Sequence, residues 1–253
     1  VCGAIVPWNF PLTLAANKVA PAIAAGNTVV LKPASTTPLS TLACIEALIE
    51  GGLPEGVVNV VLGTATGEAM VDHPLIRKIA LTGSTPTGKK VMARAAEGLK
   101  KITLELGGSD PCIVLDDADL EAAVKGISIG RYFNCGQACL AVKRLYVQDG
   151  IYDALLEKLM ARVAKLKPGN GLDKASRMGP MHSETQKAEV EARHKDRVGR
   201  GARVLCGGGR PPGAAHDNVW VVEPTRLVDG PGHLRGGREG GYADGAAYAQ
   251  QQG

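Results

Sequence analysis

The 253 residues suit one large or two small domains at roughly 100–200 residues each. With 45% hydrophobic and 21% charged residues, the composition is ordinary for a soluble chain that buries a core. A net charge of +4, spread without clusters, argues against nucleic acid as a partner. No uncharged apolar run approaches the roughly 18 residues of a membrane span, so no membrane partner is expected.

The chain opens on Val1 rather than Met, and VCGAIV already reads as a buried strand, so a preceding segment is expected. Further apolar, β-branched runs follow at Thr28–Leu31, Val57–Leu62, Lys78–Leu81 and Ile102–Leu106. Helical patterns separate them at Leu12–Ala25, Leu39–Glu50 and Thr87–Glu97, with a short turn at Gly67–Asp72. The three long patterns stop at Gly26, Gly51-Gly52 and Gly98, as helix ends favour. Alternation of this kind predicts a parallel sheet covered on both faces. Such sheets bind ligands beyond the carboxyl ends of their strands, which singles out Asn9, Lys32, Gly63, Gly83, Ser84 and Glu105.

A second unit is predicted from Gly108. It has a strand at Pro111–Leu115, a helix at Asp119–Tyr132 with acids near its start, and a strand at Lys143–Val147. Helices at Tyr152–Leu166 and Glu184–Val198 and short strands at Arg203–Cys206 and Val219–Val222 complete it. The expected divisions are 1–107, 108–228 and a glycine-rich tail, 229–253, whose lack of periodicity predicts poor order.

No GxGxxG follows the first strand. In TGST (Thr82–Thr85), Ser84 or Thr85 either simply caps the next helix or leaves N–H groups facing a phosphate; the plain cap is the favoured reading. Lys32 can reach a ribose or phosphate, or extend to solvent. Ser35 stands where a dinucleotide site often has a carboxylate. Glu105 is expected to be partly buried, which would raise its pKa and suit it to general-base work, though a capping acid is equally open.

Six cysteines in apolar text fit reduced thiols and a cytoplasmic setting. Cys135 and Cys139 are close, but no second pair and no nearby His completes a zinc set, so no metal is expected. Cys139 differs from the others in its glycine and amide surroundings, with Lys143 and Arg144 close by. A thiol nucleophile with a carboxylate base is the combined reading.

PWNFP (Pro7 to Pro11), KPAS (Lys32 to Ser35), TGST, LELGG (Leu104 to Gly108) and GQAC (Gly136 to Cys139) stand in the order and spacing of the aldehyde dehydrogenase superfamily. The chain resembles that family over about residues 1–228. The resemblance implies an α/β fold, with a Rossmann-like parallel sheet for the cofactor and a second α/β catalytic domain. It implies NAD(P)-dependent oxidation of a small aliphatic aldehyde or semialdehyde to its acid. Cys139 resembles the nucleophile, Asn9 the oxyanion donor that works with the Cys139 N–H, and Glu105 the base that activates water. Lys18 matches a family lysine near the active site. Trp8, Asn9, Lys32, Ser35, Gly83, Ser84 and Leu106 match cofactor contacts, and Ser35 in place of an acid favours NADP slightly over NAD.

The sequence also departs from the family. The segment before the first strand and the later EExFGP motif are absent, although a homo-oligomer is what the family implies. The switch to Gly/Ala/Gln text after Thr225 resembles a frameshift. Two alternatives therefore stand beside the dehydrogenase: a catalytically impaired fragment of one, and cofactor-independent acyl transfer at Cys139.

Overall fold

A computed structural model describes residues 1–209, 220–228 and 246–252. The chain forms two compact units, Val1–Leu106 and Gly107–Gly253.

In the first unit, strands β1 (Cys2–Ile5), β2 (Val29–Lys32), β3 (Val58–Val60), β4 (Lys78–Thr82) and β5 (Lys101–Glu105) pair in parallel in the order β3-β2-β1-β4-β5. Helices α1 (Pro11–Ala24), α2 (Leu39–Glu50), α3 (Thr66–Asp72) and α4 (Thr85–Glu97) join consecutive strands. Two cores result. Ala15, Val19 and Ile45 of α1 and α2 pack with Val29 and Leu31, while Met70, Val71, Val91 and Ala95 of α3 and α4 pack with Ile79 and Leu81. Val29, Leu31 and Ile79 are fully buried, each such side chain contributing about 1.5–3 kcal/mol. The strand order reverses between β1 and β4, the place where open sheets bind ligands. Gly3 sits at a crowded centre, where a Cβ would lie 2.8 Å from Ile79 Cδ1 and that side chain would have to shift.

Gly26 and Gly52 take positive φ just past α1 and α2, as expected of helix stops. After α4 the left-handed residue is Leu99 (φ 48), one beyond Gly98. Where only a short turn was expected, α3 is a helix, because burying Met70 and Val71 supplies what its local sequence lacks.

In the second unit, β6 (Asp110–Val114), β7 (Val142–Gln148), β8 (Arg203–Cys206), β9 (Thr225–Val228) and β10 (Ala246–Gln252) pair in the order β6-β7-β10-β9-β8. All pairings are parallel except β8 with β9. Helix α5 (Leu120–Tyr132) is capped by Asp119, whose carboxylate accepts from the N–H groups of Glu121 and Ala122. Helix α6 (Asp149–Val163) buries Ile151, Leu155, Leu159 and Val163 with Val124, Ile127, Leu145 and Val147. Helix α7 (Glu184–Gly199) is capped by Ser183.

One expectation is corrected. Of the strand expected at Val219–Val222, the described residues Trp220–Val222 are not in a strand. Irregular bonds hold this run instead, from Met181 N–H to the Trp220 carbonyl (2.7 Å) and from Glu223 N–H to the Gly209 carbonyl (3.1 Å). Within the tail, Ala246–Gln252 form β10 between β7 and β9. Backbone N–H and C=O groups pair there without any need for side-chain periodicity. The rest of the tail, 229–245 and 253, lies outside the described residues, as does Val219.

Candidate active site

In the first unit, β1 runs directly into PWNFP. Pro11 occupies the first turn of α1, where its missing N–H costs nothing, and this fixes the approach of Asn9. Asn9 is buried and Trp8 half-buried, with the Trp8 carbonyl accepting from Thr37 Oγ1 at 3.4 Å. Two turns into α1, Lys18 donates to Thr82 Oγ1 at 2.6 Å. Burial lowers the Lys18 pKa, and the charge of Glu105 opposes that shift. Lys18, Thr82 and Glu105 therefore form one cluster at the carboxyl ends of β4 and β5. Glu105 is exposed, which corrects the expected partial burial: it is the last residue of an edge strand.

An open cleft of about 280 Å³ lies beside the switch point and is lined from the strands by Ile5, Lys32 and Leu81. Burial pushes the Lys32 ammonium below its ordinary pKa. Helix α3 adds Gly67, Glu68 and Val71, and α4 adds Thr87, Lys90, Val91 and Arg94. Arg94 is tied to Glu68 (3.0 Å) and to Asp72, whereas Lys90 is exposed. Among the residues proposed from the sequence as cofactor contacts, Lys32 lines this cleft; Trp8, Asn9, Ser35, Gly83, Ser84 and Leu106 do not. Ser84 is the N-cap of α4, accepting from Thr87 N–H at 3.3 Å. Leu106 packs so closely on α4 that a Cβ at Gly88 would lie 2.6 Å from its Cδ2. Ser35 is exposed. Thr87, Lys90, Val91 and Arg94 were missed, although their helical spacing marks one face.

In the second unit, α5 ends in a tight turn, Phe133–Gly136, with Asn134 (φ 51), Cys135 (φ 59) and Gly136 (φ 74) all left-handed. Gly136 has no room for a Cβ, which would lie 2.9 Å from the Arg131 carbonyl. Buried Gln137 donates from Nε2 to the Asn134 carbonyl at 3.1 Å and accepts at Oε1 from His182 N–H at 2.8 Å. Buried Arg131 donates to the Val142 carbonyl. The two neighbouring thiols then differ. Both are partly exposed, but Cys135 donates to the Gly179 carbonyl at 2.9 Å and burial pushes its pKa up to about 11, whereas Cys139 lies three residues beyond the turn. Lys143 is fully buried and donates to three carbonyls. The Arg144 guanidinium holds the Ser109 carbonyl at 2.9 Å and lies over the Tyr146 ring. Among the described residues no group of three or more side chains could hold a metal ion, and no helix is long and apolar enough to cross a membrane.

The model of the aldehyde dehydrogenase family matches residues 1–237. The chain is 47% identical over 242 residues to an NADP(+) succinate-semialdehyde dehydrogenase of Escherichia coli, covering 94% of this chain and 49% of that protein. It is 49% identical over 233 residues to a glutarate-semialdehyde dehydrogenase of Pseudomonas aeruginosa, covering 91% and 47%. Its structure matches betaine aldehyde dehydrogenase of Staphylococcus aureus in complex with NAD+ at a TM-score of 0.93 and 36% identity, covering 99% of this chain and 50% of that one. The chain thus spans about half the length of the curated relatives it matches. With its α/β architecture, its parallel first sheet and nearly its whole length matched, the chain belongs to the aldehyde dehydrogenase family.

Proposed function

We propose that the chain carries the nucleophile, the water-activating base and the cofactor cleft for oxidation of a small aliphatic aldehyde or semialdehyde to its acid with NAD(P). The observation that carries this reading is the Cys139 turn, which combines solvent access with a backbone braced by buried side chains. A nucleophile needs both. The Cys139 thiolate adds to the aldehyde carbon, and the oxygen that gains charge takes hydrogen bonds from the Cys139 N–H and the Asn9 amide. When bound, the nicotinamide supplies the acceptor for the hydride that leaves this carbon, which becomes a thioester. Glu105 takes a proton from water; the water oxygen adds to the thioester carbonyl and expels the Cys139 thiolate. Lys18, held by Thr82, positions charge beside Glu105.

The cleft suits a nucleotide in charge: Lys32 and Lys90 would hold ribose or phosphate oxygens. The exposed Ser35 presents no like charge to a 2′-phosphate, so NADP is used at least as well as NAD. Similarity to proteins named for succinate and glutarate semialdehydes supports the semialdehyde class. Free thiols throughout fit a cytoplasmic setting, and the family resemblance favours a homo-oligomer.

The test mixes purified chain with NADP and succinate semialdehyde and follows reduced-cofactor absorbance against a Cys139→Ala control. Turnover in the parent and none in the control is the expected result. No turnover in the parent overturns the reading, and ester hydrolysis without cofactor, lost in the control, would replace it with acyl transfer.

A further inference from the structure

We infer that Lys143 is a positioning residue for the reaction proposed above, its buried ammonium fixing the two peptide groups that flank the Cys139 Cα. The inference rests on Cys139 being the nucleophile. Lysine is rarely fully buried, because taking an ammonium out of water is costly unless its donors are used. Lys143 has no exposed surface, and its Nζ lies 2.5 Å from the Gly108 carbonyl oxygen and 3.2 Å from those of Ala138 and Cys139. Three ammonium donors thus meet three carbonyls.

The Ala138 carbonyl and the Cys139 N–H belong to one planar trans peptide and point in opposite directions. Holding the carbonyl against Lys143 therefore sends the N–H the other way. The Cys139 carbonyl, held by the same ammonium, fixes the following peptide, so the backbone on both sides of the nucleophile is set. A cation on the Ala138 oxygen also polarises that amide and strengthens its N–H as a donor. Gly108 closes the clasp. A Cβ there would lie 3.0 Å from the Cys139 carbonyl oxygen, so only glycine lets the segment come this close. The sequence suggests a different role for Lys143, a nearby charge favouring the thiolate. The geometry instead commits its donors to carbonyls.

The two roles separate by reaction. Alkylation by iodoacetamide forms a carbon–sulfur bond and releases iodide with no oxyanion. Acylation by p-nitrophenyl acetate passes through a tetrahedral oxyanion before p-nitrophenolate leaves. The experiment measures both rates at Cys139, with their pH profiles, in the parent, Lys143→Met, Lys143→Gln and Cys139→Ala, with far-UV circular dichroism to check folding. Lys143→Met is expected to slow acylation about tenfold or more while the alkylation rate and its pH midpoint hold. Lys143→Gln, whose amide keeps two donors, is expected to recover part of the loss. If Lys143→Met does not fold, Lys143→Arg takes its place, keeping the charge but displacing the donors, and acylation alone is expected to fall. Alkylation slowed as much as acylation, or acylation unchanged, overturns the positioning role. Acylation that is absent in the parent or survives in Cys139→Ala overturns the nucleophile reading instead.

Discussion

Lys18 donates a 2.6 Å hydrogen bond to the buried hydroxyl of Thr82, and Glu105 acts on it electrostatically. Burial nevertheless dominates and lowers the Lys18 pKa from 10.5. Between the lowered value and 10.5 the unfolded chain binds the proton that the folded chain has lost, so this group makes stability rise with pH across that window. The penalty is full below the lowered value. In urea titrations across that window, the pH-dependent rise should be smaller in Lys18→Met than in the parent. Equal slopes in the two proteins would remove the effect from Lys18.

Cys135 works in the opposite sense. Its thiol is pushed from 9.0 up to about 11, so its contribution to stability is full below 9.0 and is lost as pH rises through about 11. Cys135→Ala should flatten that alkaline loss. At neutral pH, mass-spectrometric mapping of iodoacetamide adducts should find Cys139 modified well before Cys135. Equal labelling of the two would contradict the Gly179 bond and the raised pKa that set Cys135 apart.

The contrast between these thiols was half legible in the sequence. Glycine and amide neighbours marked Cys139, but nothing local showed that Cys135 would turn inward onto the Gly179 carbonyl, 44 residues away. The first sheet was readable because strands buried on both faces must be apolar runs, and glycines punctuate its helices. β10 was not readable, since its place in the sheet rests on backbone pairing rather than pattern. Lys143 misled for a related reason: its spacing from Cys139 marks a charge near the thiol, and only the fold shows its ammonium turned onto three carbonyls. Glu105 was placed correctly at a strand end, but its exposure depends on β5 being the sheet edge, which strand order decides.

Leu99 holds φ 48 while its side chain is 89% exposed, so it accepts left-handed strain without burial in return. Leu99→Gly relieves that strain, offset by the greater freedom of glycine in the unfolded chain. A net gain of about 0.5–1 kcal/mol is expected from these terms in urea unfolding. A loss would mean that Leu99 packs usefully despite its exposure.

Ser35 offers a test of cofactor choice that should leave folding intact, because the side chain is exposed. Ser35→Glu places a carboxylate where a 2′-phosphate would meet it and where a ribose hydroxyl could donate to it. The ratio of kcat/KM for NADP to that for NAD should fall by about tenfold, roughly 1.4 kcal/mol of discrimination. A twofold or greater preference for NAD in the parent would already count against NADP use, and an unchanged ratio in the variant would remove Ser35 from the cofactor site.

Gly136 is where the nucleophile turn is least tolerant. It needs a positive φ of 74, and a Cβ would lie 2.9 Å from the Arg131 carbonyl, backbone that cannot swing aside as a side chain can. Arg131 is itself fully buried and donates to the Val142 carbonyl beside Lys143, so relief by moving Arg131 would disturb β7. Gly136→Ala therefore combines a conformational penalty with a steric one, together about 2–4 kcal/mol. The damage should centre on the turn: acylation at Cys139 should fall more steeply than overall stability, since a displacement on the order of 1 Å at a reacting group costs about a hundredfold in rate. Thermal unfolding and Cys139 acylation measured on the same preparation decide the matter. A variant with parental acylation would show that the left-handed run Asn134–Gly136 does not hold Cys139 in place.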